Sequence, residues 1–277
     1  MNPAMSGLAR PAGQVAVVTG GASGIGRSIA RRLVTQGMQV VIADVEDGPL
    51  ISTAAEIGAT ALHTDVTSPQ AMQELAAQVQ RRFGAVHLFC SNAGVASTAR
   101  ILDMSLPDWQ WLLDVNLYGL IHGIRAFVPL LAENADGGHL AVTASVAGLH
   151  VTPQLGGYTV SKFAMMALAE TLALELQTQH PNVGITILCP GPVSTQLGAS
   201  QRNRPHAPTD RALVDRDLQA EGNDARWLDP DTVADILIDA IRRGELYAMT
   251  HPEWAPIVQE RHDRIMAAFA AAARRLP

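Results

Sequence analysis

The sequence predicts a doubly wound α/β fold, with a seven-stranded parallel sheet flanked by helices. Three observations carry this expectation. From Gln14 onward, short apolar runs rich in valine and isoleucine alternate with longer stretches of helical period, as strands buried on both faces and joined by crossover helices require. The chain has 277 residues, of which 48% are hydrophobic and 17% charged, enough for a large core and near the upper limit for one domain. No repeat, low-complexity linker or composition shift divides it, so residues 1–277 read as a single domain.

Taken in order, strands are expected at Val15–Thr19, Gln39–Ala43, Thr60–His63, Val86–Cys90, His139–Thr143, Val183–Cys189 and Glu245–Met249. Ser68-Pro69 and Asp229-Pro230 each place a capping side chain before a proline suited to the first helical position. A helix opens at Tyr158 and runs to about Gln177. Thr250 and Glu253 have capping-box spacing, which predicts an extra C-terminal helix over 253–275. Its apolar positions are Trp254, Ile257, Val258, Ile265, Met266 and Phe269. Between the sixth strand and Arg226, residues 194–226 mix arginines and acids with few large apolar residues and read as a mobile substrate lid with short helices. There Arg202, Arg204, Arg211 and Arg216 alternate with Asp210, Asp215 and Asp217, the pattern of a solvated face rather than an anion site.

The charge balance narrows function. With 26 acidic against 20 basic residues and a net charge of -6, the chain is expected to bind neither nucleic acid nor an anionic membrane. A small molecule is the expected partner. Cys90 and Cys189 end apolar runs and read as small buried hydrophobes, with no disulfide framework and no metal site. No run approaches the roughly 20 apolar residues of a membrane span, and residues 1–11 lack a signal-peptide core. A cytoplasmic protein is the resulting expectation. All 20 basic residues are arginine except Lys162.

The first strand runs into Thr19-Gly20-Gly21-Ala22-Ser23-Gly24-Ile25-Gly26 and then into a helix. Glycines suit that junction because the backbone must turn tightly and approach a pyrophosphate, whose charge meets the helix N-terminal amides. This makes the fold Rossmann-like. Asp44 ends the second strand, 18 positions after Gly26, where a carboxylate can hold both hydroxyls of an adenosine ribose and repel a 2′-phosphate. No basic residue stands in Ala22-Ser23 or directly after Asp44, so NAD is expected over NADP. Asp65-Val66, after the third strand, fits either the adenine edge or an ordinary helix cap.

Tyr158 and Lys162 are one turn apart on one helix face. Bringing a phenol of pKa near 10 towards about 7 needs roughly 4 kcal/mol of preferential phenolate stabilisation. A neighbouring ammonium and a cationic nicotinamide ring are suited to supply it. Ser145, after the fifth strand and 13 residues before Tyr158, can donate a hydrogen bond to a substrate oxygen. Arginine is too basic and too planar to replace a compact ammonium in such a cluster, so the lone lysine adds support to the pattern.

Together these residues resemble the short-chain dehydrogenase/reductase family from about Gln14 to Met249. The family's Thr-Gly-x-x-x-Gly-x-Gly stands as Thr19, Gly20, Gly24 and Gly26. Its Asn-Asn-Ala-Gly stands as Ser91-Asn92-Ala93-Gly94, with serine for the first asparagine, and Asn116 matches its helix asparagine. Ser145, Tyr158 and Lys162 complete its tetrad, and Pro190-Gly191-Pro192-Val193-Ser194-Thr195 its proline-glycine segment. The resemblance implies an NAD-dependent oxidoreductase in which Tyr158 moves the substrate proton and Ser145 orients the substrate oxygen. Lys162 would bond the nicotinamide ribose and lower the Tyr158 pKa, and Asn116 would hold a water leading from Lys162. Implied cofactor contacts are Gly20, Ser23, Gly24, Ile25, Gly26, Asp44, Asp65, Val66, Asn92, Ala93, Gly94, Tyr158, Lys162, Pro190, Gly191, Val193 and Thr195. It also implies a homodimer or homotetramer that pairs the helices of Asn116 and Tyr158.

Ala147, Leu149, His150, Gln154 and Leu197 are expected beside Ser145 in the substrate pocket. This mostly apolar set, without an arginine pair, suits a neutral and bulky secondary alcohol or ketone. His150 fits a second acid-base or a polar rim position. The alternatives are an NADP-dependent carbonyl reductase, a nucleotide-sugar epimerase or dehydratase, and a non-catalytic NAD-binding scaffold.

Overall fold

The structure, a computed structural model, describes residues 11–205, 212–217, 219–220 and 225–275. Its sheet has seven strands, β1 Val15–Thr19, β2 Gln39–Asp44, β3 Thr60–His63, β4 Leu88–Ser91, β5 Gly138–Thr143, β6 Val183–Cys189 and β7 Tyr247–Met249. They lie in the order β3-β2-β1-β4-β5-β6-β7, every pair parallel, with Val17 opposite both Val41 and Phe89. The chain therefore reverses direction across the sheet between β1 and β4, and a cleft opens there beyond the strand C-termini. β4 and β7 start later than the apolar runs suggest, because ladder pairing begins only at Leu88 and Tyr247.

The described residues form eight α-helices: α1 Gly24–Thr35, α2 Asp47–Ile57, α3 Pro69–Phe83, α4 Leu106–Leu113, α5 Gly119–Ala132, α6 Gly156–Gln179, α7 Pro230–Arg243 and α8 Ala255–Ala273. One face is buried by Ile29 and Leu33 of α1, Leu50 of α2 and Leu237 of α7. The other takes Met72 and Leu75 of α3, Phe127 of α5 and Met165 of α6. On that second face Phe89 stacks on Phe127 with ring centres 4.1 Å apart, an arrangement that needs Gly123, where a Cβ would come within 2.6 Å of the Phe89 ring. Cys90 and Cys189 are free and buried, as their apolar neighbours suggest.

The expected caps at Ser68 and Asp229 form, accepting from the amides of Ala71 and Thr232 respectively. The expected capping box at Thr250 does not. Pro252–Trp254 makes a 3-10 turn before α8, and the Thr250 hydroxyl is committed to the Gly191 amide at 3.2 Å while Glu253 pairs with Arg226 at 2.8 Å. None of the residues of α8 is buried. α4, a π-helical turn at Asp114–Tyr118 and α5 form one helical run, Leu106–Ala132, within which an 18-residue window reaches a mean hydropathy of 1.3. By length and composition alone this run is apolar enough to cross a membrane; its Leu112, Leu120, Phe127 and Leu131 are packed inside the fold.

Candidate active site

A cleft of about 1880 Å³ follows the C-terminal ends of β1, β2, β4, β5 and β6, roughly twice the upper range for a drug-sized ligand. At its floor, Gly20 and Gly24 take φ of +64° and +52°, left-handed conformations that favour glycine. Close approach constrains Gly26 even more, since a Cβ there would lie 2.1 Å from the Gly20 carbonyl oxygen. The N-cap of α1, Ser23, makes no side-chain capping bond and lines the cleft with Gly24 and Ile25, and the first amides of a helix suit an anion. The donor set fits a dinucleotide pyrophosphate.

Asp44 lines the same cleft at the end of β2. Its Oδ2 accepts from the Ala22 amide at 3.1 Å and its Oδ1 from those of Val45 and Glu46 at 2.8 and 3.2 Å, so three backbone donors fix the carboxylate in the cleft. Asp65 and Val66 also line it. Asp65 accepts from Thr67, closing a local turn, whereas Ser68 caps α3; the turn and the cleft position coexist. Asn92 ties the floor together, its amide accepting from the Thr143 hydroxyl and donating to the Thr19 carbonyl, at 3.1 and 3.0 Å. Ala93, Gly94, Pro190, Gly191, Val193 and Thr195 also line the cleft, with Thr195 facing Gly24.

The catalytic candidates converge where β4, β5 and α6 meet. Tyr158 is 8% exposed and Lys162 3%. The Lys162 Nζ donates to the Thr143 carbonyl at 3.0 Å and lies 5.5 Å from the Tyr158 ring centre. A Cβ on Gly94 would come within 3.2 Å of Asn116 Oδ1 and 3.7 Å of Lys162 Nζ, which shows how closely these groups gather. Asn116 sits in the π-helical turn, donating to Ser161 Oγ at 2.9 Å and to the Val95 carbonyl at 3.0 Å. Ser145 Oγ accepts from the Ala147 amide at 3.1 Å.

Electrostatics there are dominated by burial. It pushes the Tyr158 phenol up, opposed by the hydrogen bond with Ser145, and pulls Lys162 down to about 8. Both shifts disfavour the charged form. The lysine is therefore close to its own titration near neutral pH, and the depression of the phenol expected from it is absent from these side chains.

In the substrate half, Ala147, His150 and Leu197 line the cleft. Leu149 and Gln154 do not. Leu149 packs against the core, and Gln154 turns outward at φ +67° with its carbonyl accepting from the Ala99 amide. Trp111, Thr152, Leu155 and Trp254 line the wall instead. His150 is buried, 5.0 Å from the Trp254 ring, and burial lowers its pKa. The 194–226 segment begins with a 3-10 stretch, Gln196–Asn203; residues 206–211, 218 and 221–224, with Asp210 and Arg211, lie outside the described residues. Its arginines are not a solvated face throughout. Arg202 pairs with Glu46 beside Asp44, and Arg204 is buried against Asp108 with side-chain exposures of 2% and 0%.

The sequence profile described as short chain dehydrogenase matches residues 14–206. The chain belongs to the short-chain dehydrogenase/reductase family, and it is an oxidoreductase. This dehydrogenase is 30% identical over 266 residues to the CLA biosynthesis dehydrogenase/reductase of Lactiplantibacillus plantarum, covering 91% of this chain and 93% of that protein. It is 38% identical over 195 residues to the 3-alpha-(or 20-beta)-hydroxysteroid dehydrogenase of Mycobacterium tuberculosis, covering 70% and 73%. Among solved structures it is similar to a short chain dehydrogenase/reductase from Burkholderia phymatum in complex with NAD, with TM-score 0.88, 36% identity and coverage of 94% and 96%.

Sequence reasoning missed two parts of the dehydrogenase site. Trp254 reads in the sequence as an ordinary apolar helix position, and no sequence pattern singles out Trp111. His251 sits just beyond β7, its Nδ1 3.1 Å from the Gly191 amide and its Nε2 3.0 Å from the Arg226 carbonyl. No local pattern marks such a residue, because its partners lie 60 and 25 positions away.

Proposed function

We propose that this oxidoreductase is an NAD-dependent alcohol dehydrogenase and ketone reductase acting on a neutral, bulky secondary alcohol or its ketone. The observation that carries the reading is the meeting of Tyr158, Ser145 and Lys162 at the junction of the two halves of one cleft. Bound there, the nicotinamide would exchange hydride with the substrate carbon and bring a positive charge towards the phenol.

The chain's own residues do the rest. Tyr158 takes the alcohol proton in oxidation and returns it in reduction. Ser145 orients the substrate oxygen towards that phenol. Lys162, poised at about 8, holds the ribose and exchanges a proton with Tyr158, while Asn116 keeps the π-helical turn against Ser161 and Val95. Asp44 holds the adenosine ribose and repels a 2′-phosphate, while the nearby Glu46 is paired with Arg202. Trp111, Trp254 and Leu155 give the pocket its bulk. Val160 and Leu174, 45% and 68% exposed on α6, support pairing of that helix with a second copy.

Tyr158→Phe should keep NADH affinity, read by cofactor fluorescence, and lose at least a hundredfold in turnover. Substantial residual turnover would overturn the role of Tyr158. Initial rates should favour NADH over NADPH in wild type, and Asp44→Ala should narrow that ratio; a wild-type preference for NADPH would replace this reading by that of a carbonyl reductase. The substrate class is tested by a screen of neutral secondary alcohols, from small diols to steroid-like compounds.

A further inference from the structure

Among the buried polar atoms without a hydrogen-bond partner are Trp111 Nε1, both Arg204 Nη atoms and Asp108 Oδ1. Trp111 and Arg204 line the cleft, and they are 7% and 8% exposed. The Arg204 guanidinium carbon lies 5.5 Å from the Trp111 ring centre, so α4 and the segment after β6 bring the two side chains together. Folding seldom leaves such donors unpaired, because each forfeits its bond to water with nothing in exchange.

The neighbours fix what kind of acceptor fits. Arg204 Nη2 meets Asp108 Oδ1 at 2.6 Å, and Asp108 Oδ2 accepts from the Ser105 amide and hydroxyl at 2.7 and 2.9 Å. Asp108 is thus held as the counter-charge of Arg204, in place and fully buried. A substrate carboxylate at the same spot would bury a second anion beside Asp108. A carbonyl or hydroxyl oxygen adds no charge and accepts both N–H groups.

We propose that Trp111 and Arg204 form a subsite for a neutral oxygen, holding by two donated hydrogen bonds a second keto or hydroxyl group that the substrate carries besides the reacting one. The inference rests on the dehydrogenase reading above and narrows its substrates to bulky alcohols or ketones with two oxygen functions.

The decisive variant is Trp111→Phe, which keeps an aromatic ring under Arg204 and removes only the Nε1–H donor. The substrates are matched sets: 1-decalone, decalin-1,5-dione and 5-carboxy-1-decalone, with 5α-androstan-17-one and 5α-androstane-3,17-dione as a larger pair. Wild type should favour a diketone over its monoketone about tenfold in kcat/KM. In Trp111→Phe that preference should fall several-fold, because the change in pocket shape acts on both ketones while the lost hydrogen bond acts on the diketone alone. Equal loss on both ketones, or an unchanged preference, overturns the subsite, and a wild-type preference for the keto acid overturns its neutral character. Arg204→Lys, which keeps the charge facing Asp108, should lose the same preference while melting within a few degrees of wild type. Calorimetric titration of the NADH complex with the same compounds reads the subsite without turnover. If wild type reduces no ketone the dehydrogenase reading fails, while tighter diketone binding that Trp111→Phe removes still supports the subsite, and equal binding overturns it.

Discussion

Lys162→Met should abolish turnover and, at neutral pH, make the fold more stable. The ammonium is 3% exposed, with one donated bond to the Thr143 carbonyl at 3.0 Å, and burial lowers its pKa from 10.5 to about 8. At 1.36 kcal/mol per unit, the folded state at pH 7 carries roughly 3 kcal/mol of unfavourable charge burial. Methionine fills a similar volume without the charge, and the Thr143 carbonyl left without its donor returns about 1 kcal/mol of that gain. The net expectation is about 2 kcal/mol, or roughly 4–8 °C in Tm for a chain of this size. The sign follows from proton counts. Between about pH 8 and 10.5 the unfolded chain binds the proton and the folded one does not, so wild-type stability rises through that window while the variant has no such term. Guanidinium denaturation at pH 7 and pH 10 measures both. A variant less stable than wild type at pH 7, or a difference that does not shrink by pH 10, would refute the reasoning.

Burial lowers His139 to about 4, inside β5 with Nε2 3.0 Å from Thr186 Oγ1; the unfolded chain therefore binds the extra proton between pH 6.5 and 4, and wild type should lose roughly 3 kcal/mol on acidification through that range. His139→Gln should flatten that loss in denaturant titrations, and an equal slope in both proteins would remove His139 as its cause. Gly26→Ala, with its Cβ 2.1 Å from the Gly20 carbonyl oxygen, should lose more than about 3 kcal/mol or fail to fold, whereas Gly48→Ala meets nothing within 4 Å in the first turn of α2 and should gain about 0.5–1 kcal/mol; thermal melts compare them. Cys90 and Cys189, both pushed up to about 12 by burial, should ignore a thiol reagent in the native protein and react in denaturant.

What could be read from the chain is what local physics dictates. A strand buried on both faces must be apolar throughout, so Val15–Thr19 and Val183–Cys189 were legible to the residue. Serine or aspartate before proline states a helix start in two residues. The glycine turn and the Tyr158–Lys162 pair are local spacings that chemistry makes recognisable. Arg204 was not legible, because an arginine among acids looks the same whether its partner is solvent or an aspartate almost a hundred positions earlier, and only the path of the chain after β6 brings it to Asp108. Thr250 and Glu253 misled for the same reason. Their spacing is that of a capping box, but Gly191 and Arg226 compete for the same side chains and win.

That competition bears on where the site ends. The family profile stops at residue 206, and every catalytic candidate lies within it, yet Gly191 is held from outside that span. Its amide donates to Thr250 Oγ1 and His251 Nδ1, at 3.2 and 3.1 Å. With Nδ1 accepting, the His251 proton belongs on Nε2, which donates to the Arg226 carbonyl at 3.0 Å, and Arg226 is itself paired with Glu253. One residue further on, Trp254 meets His150. A Cβ on Gly191 would lie 2.7 Å from the His251 ring, so glycine is required there by the histidine as well as by any ligand. The 250–254 stretch therefore links the loop after β6 to the pocket wall and the end of the 194–226 segment. Trp254 and His150 share walls of the cleft with Tyr158, Ser145 and Lys162, but the two sets of residues share no hydrogen bond among those described.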